Sequence, residues 1–508
     1  MDIVNVSSRF RGSIIVGMTN LPTQIYSVAA VREIDRTAIE DNGIPGYTLM
    51  TRAGAAAVAA ARERFPDTRH WQVVCGAGNN GGDGYVVARL ASAAGIAVTV
   101  TTLVDPGTLR GDAARAYQDF LAQGSAVSKW VGELDGAADL IVDAILGSGL
   151  EREVSGDFER AVMAINQHPG KVLSLDIPTG IHGDTGAVLG CAVNADLTIT
   201  FVGLKSGLLL GEALDYCGEL IYDGLQIPDS LRAMQPAFLR ADDAFLRQQL
   251  PRRKRTAHKG DYGHVLVVGG GAGMPGAVRL CGEAALRAGA GRVSIATDPS
   301  HAALLAATRP ELMSHAVTST ADLDKLLAKT DVIAFGPGLG QTDWARMLYE
   351  RVAADDRAAV WDADALNLLA ANPSQARQRV LTPHPGEAAT LLGQTGAAVQ
   401  GDRPAAARAL AERYGGVAVL KGAGTLIASA QHATWLCTAG NPGMAAPGMG
   451  DVLTGIIAAL LAQGLSLQEA AVAGVEVHAR AGDHAGGLGE RGMTASDLIE
   501  QLRGVLNP

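Results

Sequence analysis

The sequence predicts an α/β protein of two domains, each a mostly parallel sheet between helices. Three observations carry this. Strand-like apolar runs alternate with helix-like periods over residues 72–201 and again over 264–502. Glycine-rich loops follow strands in both halves. The 508 residues exceed one ordinary domain, and such lengths divide into about two to four. The expected parts are a loose extension at 1–23, a first domain at 24–235 and a second at 236–508.

Composition narrows the function classes. A net charge of −10 disfavours a nucleic-acid partner, which would want a basic face. Five cysteines (75, 191, 217, 281 and 437) are scattered, odd in number and without a C-x-x-C pair, which fits a reduced cytoplasm and no zinc site. The run Ile14–Met18 is too short for a signal-peptide core, and no apolar run approaches the ~18 residues of a membrane span, so no membrane partner is expected.

In the first half, Val28, Val31, Ile34 and Ala38 have helical spacing over 28–39, closed by Gly43, Pro45 and Gly46. Residues 48–65 form an alanine-rich helix. Strands are expected at 72–75, 98–104, 140–146, 172–175 and 196–201, with helices at 83–94, 112–123 and 158–166 between them. In such sheets ligands sit at the carboxyl ends of strands, and three loops fall there. Gly76-Ala-Gly-Asn79-Asn80-Gly81-Gly82-Asp83-Gly84 contains G-x-G-x-x-G, a weak dinucleotide signal alone, yet its asparagines suit a hard cation or a ligand's hydroxyls. The second loop, 147–153, follows Asp143; the third is Asp176-Ile-Pro-Thr179-Gly180. Asp143 and Asp176 end apolar strands, where an unpaired carboxylate is costly, so each meets either a structural N–H or a ligand.

The join, 226–260, is mixed. Residues 238–250 carry apolar positions suited to packing on the second domain. Arg252-Arg-Lys-Arg255 is a solvated face or, next to His258-Lys259-Gly260, a surface for polyphosphate.

In the second half the strand 264–268 enters Gly269-Gly-Gly271-Ala-Gly273-Met-Pro275-Gly276 and a helix at 277–288. The strand 292–296 then ends near Asp298. That layout fits a dinucleotide-binding unit, but Pro275 precedes the third glycine and no hydride-transfer constellation follows. Strands follow at 332–335, 359–361, 380–382 and 417–421, a hairpin at 425–428 and 434–437, and helices at 449–461, 467–485 and 494–502. The apolar run Ala471–Val477 is either an exposed face for a homo-oligomer or a core helix.

The polar points of this half are Gly336-Pro-Gly338-Leu-Gly340, Trp361-Asp-Ala-Asp-Ala365, Thr382-Pro-His384-Pro-Gly-Glu387, Lys421-Gly-Ala-Gly-Thr425 and Asn441 to Gly455. Prolines stiffen the loop that holds His384, a side chain suited to proton exchange near neutrality. Lys421 with small neighbours suits phosphate, although no G-x-x-x-x-G-K-[ST] motif is present. The stretch Asn-Pro-Gly-Met-Ala-Ala-Pro-Gly448-Met-Gly450-Asp451 feeds an apolar helix, whose free N–H groups and positive dipole end favour an anion. Asp451 there is either a helix cap or a general base.

Two sets of motifs give a specific resemblance. G-x-G-N-N-G-G-D-G, V-D-A-x-x-G and D-I-P-T-G, over about 24–230, resemble the epimerase domain of the NAD(P)H-hydrate repair enzymes, which interconvert the R and S forms of NAD(P)HX, nicotinamides hydrated at C6. G-P-G-L-G, T-P-H-P-G-E, K-G-A-G-T and N-P-G-M-A-A-P-G-M-G-D-V-L-T-G, over about 240–508, resemble the NAD(P)H-hydrate dehydratases of the ribokinase-like superfamily. The order of the two matches that of the bifunctional repair enzymes. The resemblance implies a Rossmann-like three-layer α/β/α epimerase domain and a ribokinase-like α/β/α dehydratase domain.

For the first site it implies a potassium ion held by Asn80, Asp143 and Thr179. Hydrate contacts would come from Asn79, Asn80, Gly81, Gly82 and Asp83, from Gly147, Ser148, Gly149, Leu150, Glu151, Arg152 and Glu153, and from Asp176. Epimerisation at C6 moves a proton or expels the hydroxyl; Asp176 is the first candidate for that work and Asp83 the second. For the second site it implies nucleotide contacts from Lys421, Gly422, Ala423, Gly424, Thr425 and Gly450. Hydrate contacts would come from Ala277, Gly338, His384 and Asp451, with ADP as co-substrate and Mg2+ as cofactor. A ribokinase-like small-molecule kinase with an accessory domain and a non-catalytic scaffold are the alternatives.

Overall fold

The computed structural model describes residues 21–508; the part of the expected extension at 1–20 lies outside the described residues. The chain forms two compact units, one ending at Arg240 and one running from Ala241 to Pro508. The division lies past the expected join at 235/236 because β9 (Phe238–Leu239) pairs antiparallel with β1 (Gln24–Ile25) and so belongs to the first unit.

The first unit is built on a 7-stranded sheet. Its strands are β2 (His70–Cys75), β3 (Ala97–Thr102), β4 (Val127–Lys129), β5 (Leu140–Ala144), β6 (Lys171–Leu175), β7 (Leu197–Phe201) and β8 (Glu219–Asp223). The order is β4-β3-β2-β5-β6-β7-β8 and every pairing is parallel. The central strands are buried along almost their whole length, so they read as continuous apolar runs, as a sheet covered on both faces requires. Two apolar clusters flank the sheet, one around Trp71, Tyr85 and Phe120, the other around Ile141, Val162 and Ile165. Strand order reverses between β2 and β5. A crevice therefore opens at their carboxyl ends.

The second unit runs through β10 (His264–Val268), β11 (Arg292–Thr297), β12 (Met313–Ala316), β13 (Val332–Phe335), β14 (Ala359–Trp361), β15 (Arg379–Leu381), β16 (Val417–Leu420), β17 (Thr425–Ser429) and β18 (Trp435–Cys437). Their order is β18-β17-β16-β15-β14-β13-β10-β11-β12. The strands from β16 to β12 are parallel; β17 returns antiparallel to β16 and to β18, the expected hairpin. The helices Pro275–Arg287, Met449–Ala462, Leu467–Gly486 and Ala495–Val505 close one core. Ala471, Val472, Ala473 and Val477 lie inside that core, so the apolar run 471–477 is a core helix and presents no exposed face for self-assembly.

Candidate active sites

In the first unit a cavity of about 820 Å³ lies at the crevice between β2 and β5. The stretch expected as a loop at 79–83 is the first turns of the helix Asn79–Ala93, which begins directly after Gly78. Glycine makes this possible. A Cβ on Gly81 would sit 2.2 Å from the Gly76 carbonyl oxygen, and one on Gly76 would sit 1.9 Å from that of Ile145, so the strand ends and the helix close to backbone contact. Asn79, Asn80 and Asp83 consequently face the cavity, while Gly81 and Gly82 are spent on packing.

Asp143 is completely buried at the end of β5. Its carboxylate accepts from Thr179 N at 2.9 Å, Thr179 Oγ1 at 2.7 Å and Ser174 Oγ at 2.9 Å. Burial still pushes its carboxyl above the ordinary range, against those bonds. On the cavity wall the Asn80 side chain is buried with neither Oδ1 nor Nδ2 hydrogen-bonded. An orphaned buried amide oxygen fits the hard cation that the resemblance implies.

Asp176 follows β6 with φ +67, a left-handed conformation rare outside glycine. Its Oδ1 accepts from Lys205 Nζ at 2.6 Å, and its Oδ2 would lie 3.6 Å from a Cβ on Gly147, on the cavity's far loop. Asp83 lines the same cavity. Burial, then the carboxylates of Asp176 and Asp35, hold its carboxyl well above the usual range, against the opposing charge of Lys205.

In the second unit the polar motifs gather at the carboxyl ends of adjacent parallel strands. Lys421 Nζ, after β16, donates to Asp362 Oδ1, after β14, at 2.8 Å and stands 3.9 Å from Glu387 Oε2. Thr454 Oγ1 donates to the other Asp362 oxygen at 2.9 Å. A Cβ on Gly450 would lie 3.2 Å from Lys421 Nζ, so the helix Met449–Ala462 starts against this pair. Its N-cap is Gly448, φ +87, with no side-chain cap; Asp451 therefore does not cap it. Burial, then Asp362, push the Asp451 carboxyl up to about 7, with Lys421 pulling the other way.

The loop at 421–424 is braced from behind. Gly422 has φ +136, and the buried Arg403 guanidinium donates to the carbonyls of Leu420, Lys421 and Gly424. His478, held neutral by burial, donates from Nε2 to the Met449 carbonyl at 3.0 Å. His384 is largely exposed; its Nδ1 caps its own helix by accepting from Gly386 N at 3.0 Å, and Glu387 returns a bond to His384 N at 2.8 Å.

The two glycine loops at the other switch point interlock. Gly270 N donates to the Pro337 carbonyl at 2.9 Å and Gly271 N to that of Gly338 at 2.8 Å, and a Cβ on Gly338 would lie 3.0 Å from the Ala277 Cβ. These amides are thus spent on each other. Asp298 turns back on Ser300. The dinucleotide reading of 269–298 has no support in this geometry, and Pro275 is simply the first residue of its helix.

Comparison with known proteins accounts for both units. Residues 46–207 match a family model described as YjeF-related protein N-terminus, and residues 265–503 match one described as NAD(P)H-hydrate dehydratase. The bifunctional NAD(P)H-hydrate repair enzyme Nnr of Coxiella burnetii is 48% identical over 96% of this chain and 100% of its own length. The enzyme of the same name from Escherichia coli is 45% identical over 96% of this chain and 95% of its own. The chain belongs to the family of bifunctional NAD(P)H-hydrate repair enzymes. A solved ribokinase-like superfamily protein of Enterococcus faecalis covers 54% of this chain and 96% of its own at 27% identity and a TM-score of 0.50, matching the fold expected for the dehydratase half.

Against the repair-enzyme expectation, the first cavity gathers Asn79, Asn80, Asp83, Gly147, Ser148, Gly149, Leu150, Glu151, Arg152 and Asp176 on its wall. Glu153 does not line it and is exposed. Sequence reasoning missed Lys205, Arg32, Asp35 and Asp112, which also line it. Lys205 stands in an otherwise apolar stretch, Phe201–Leu210, and that lone charge is the signal that was available. In the dehydratase half it missed Asp362 and Glu387 as partners of Lys421, and Arg403. The basic run at 252–255 is exposed; its Arg253 stacks on Tyr262 and donates to the Gly289 carbonyl, a structural post. Among the described residues no helix is long and apolar enough to cross a membrane.

Proposed function

We propose that this chain repairs hydrated nicotinamide cofactors: it interconverts the R and S epimers of NADHX and NADPHX in the first unit and dehydrates the S epimer in the second, with ADP as co-substrate. The observation that carries the dehydratase reading is Asp451. It stands without a cap bond at a helix N-terminus, beside Lys421 and Gly450, with its carboxyl near 7. A base poised at neutrality and next to a phosphate-binding turn suits phosphoryl transfer to a hydroxyl.

In this reading Asp451 takes the proton of the C6 hydroxyl as that oxygen attacks the terminal phosphoryl group of ADP. The amides at the start of Met449–Ala462 and the Lys421 ammonium meet the charge on the transferring group. AMP leaves. The ring nitrogen then expels phosphate from C6, and loss of a proton from C5 restores NAD(P)H. Lys421, Gly422, Ala423, Gly424, Thr425 and Gly450 hold the nucleotide; Ala277, Gly338 and His384 face the hydrate. Mg2+, when bound, would arrive with the nucleotide phosphates and would supply positive charge to the transferring phosphoryl group.

In the first unit, Asn80, Asp143 and Thr179 would hold a potassium ion, which supplies a fixed positive charge beside the hydrate. Asp176 and Asp83 handle the hydroxyl proton on opposite sides of the event. The reaction belongs in the cytoplasm, where reduced nicotinamides and free thiols coexist.

The test follows absorbance at 340 nm after the protein meets mixed R and S NADHX with ADP, magnesium and potassium. Full recovery of NADH supports both activities. Recovery of the S fraction alone removes the epimerase half. A stable phosphorylated product would mean a small-molecule kinase instead.

A further inference from the structure

Lysine is seldom buried, yet the Lys205 side chain is only 2% exposed and lines the epimerase cavity. Its ammonium has three protons to give. They meet Asp176 Oδ1 at 2.6 Å, Thr200 Oγ1 at 3.1 Å and the Phe201 carbonyl at 3.1 Å, with the Gly203 carbonyl also within 3.4 Å. No proton is left over for a ligand. Lys205 is therefore fixed in place. Its own backbone is pinned by Tyr26, which donates to the Leu204 carbonyl and accepts from Ser206 N.

Asp176 is fixed from the opposite side by its left-handed backbone and by its N–H bond to Ile199 O at 2.7 Å. One carboxylate oxygen is tied to the lysine; the other is turned toward Gly147 and the cavity. The remaining charged groups come from separate elements: Arg32 and Asp35 from the helix Val28–Arg36, Asp83 from Asn79–Ala93, Asp112 from Gly111–Leu121, and Glu151 and Arg152 from the far loop.

We infer that Lys205 is a positioning residue that holds the Asp176 carboxylate in place as the proton acceptor of epimerisation, with Asp83 as the proton donor of the same cavity. This rests on the epimerase reading given above. Burial and the neighbouring carboxylates hold the Asp83 carboxyl well above the usual range, which suits a proton donor, whereas Asp176 has the Lys205 Nζ 2.6 Å away. In the reaction the C6–O bond breaks, the hydroxyl takes the Asp83 proton and leaves as water, and the ring nitrogen's lone pair forms the N1=C6 iminium. Water adds to the opposite face, its extra proton passing to Asp176. The proton then returns through solvent from Asp176 to Asp83.

The experiment uses the full chain and purified R-NADHX with ADP, magnesium and potassium, read as NADH formed; S-NADHX serves as the internal dehydratase control. K205M and K205Q should each lower kcat on the R epimer ~100-fold with KM within ~3-fold, and leave the S epimer's rate unchanged. K205R, which keeps the charge, should recover at least ~10-fold of the loss. Adding K205M to D176N should cost nothing more than D176N alone, since the two act as one unit. K205Q preserves size and hydrogen bonding and serves if K205M does not fold. A near-normal rate for K205Q would make the lysine a mere packing bond and overturn the inference, as would a double mutant that multiplies the two losses. Failure of the unaltered protein to recover NADH from the R epimer would instead sink the epimerase reading itself, and this inference with it.

Discussion

Lys421 and Asp362 form a buried ion pair, 2.8 Å from Nζ to Oδ1, on which the dehydratase site is hinged. Thr454 holds the second oxygen of Asp362, so the carboxylate cannot swing away. Burial of Asp362 would favour its neutral form, yet Lys421 and the surrounding donors hold it below the ordinary carboxylate range. Because Asp362 is ionised, it pushes Asp451 upward. Asp362→Asn should remove that push and free Lys421 to pull, moving the acid limb of the dehydration rate profile down by about one pH unit. An unmoved limb would mean that burial alone sets Asp451.

Dehydration by the unaltered protein should fall as acid rises through about 7, the value to which Asp451 is pushed, because a base must be ionised to act. Below that midpoint the rate should drop ~10-fold per unit under subsaturating hydrate. A profile flat from pH 5 to 8 would exclude Asp451 as the base.

Asp451→Asn should lower dehydration ~10²–10⁴-fold with the epimerase rate unchanged. It should also stabilise the fold, with a definite sign. The folded carboxyl sits near 7 and an unfolded one near the ordinary 3.8, so the folded state binds the extra proton between these values. Stability is then lost as pH rises through that window. Asparagine removes the cost: a higher unfolding midpoint is expected at pH 8, worth on the order of 1–2 kcal/mol, and no gain at pH 3. Thermal unfolding at both pH values measures it.

Asn80→Ala should raise the potassium concentration needed for half-maximal epimerisation by ~10-fold or more, because the buried amide has no partner to lose except an ion. Dehydration of the S epimer should not change. An epimerase indifferent to potassium in both proteins would remove the cation from the site.

Arg403→Ala should raise the KM for ADP by ~10-fold while leaving kcat within a few-fold, since the guanidinium, besides its bond to Gln400, braces the back of the loop at Leu420, Lys421 and Gly424. Equal losses in the epimerase rate would point to general unfolding.

The sequence announced the alternation of strands and helices, the loops at strand ends and the acids Asp83, Asp176 and Asp451, because apolar period and turn chemistry are local properties. It misjudged Asn79–Asp83 as a loop. Two adjacent glycines argue against a helix, and only the approach of Gly76 and Met50 shows why they are tolerated within one. Lys205 and Asp362 escaped because their meaning lies in partners 29 and 59 residues away along the chain. The run 471–477 stayed open between an assembly face and a core helix for a related reason. A helix covered all round and one awaiting a second copy share the same composition, and only the neighbours in the core distinguish them.

The all-parallel sheet of the first unit has a consequence for biosynthesis. The crevice needs β2 and β5 side by side, and its lysine comes only after β7. A growing chain thus presents Asp83 and then Asp176 before the lysine that pairs with Asp176 exists. Non-local pairing of this kind is slow to assemble. A ribosome halted between Asp176 and Lys205 would carry Asp176 without the lysine that pins it, and the newborn half-domain would be a ward for chaperones rather than a catalyst.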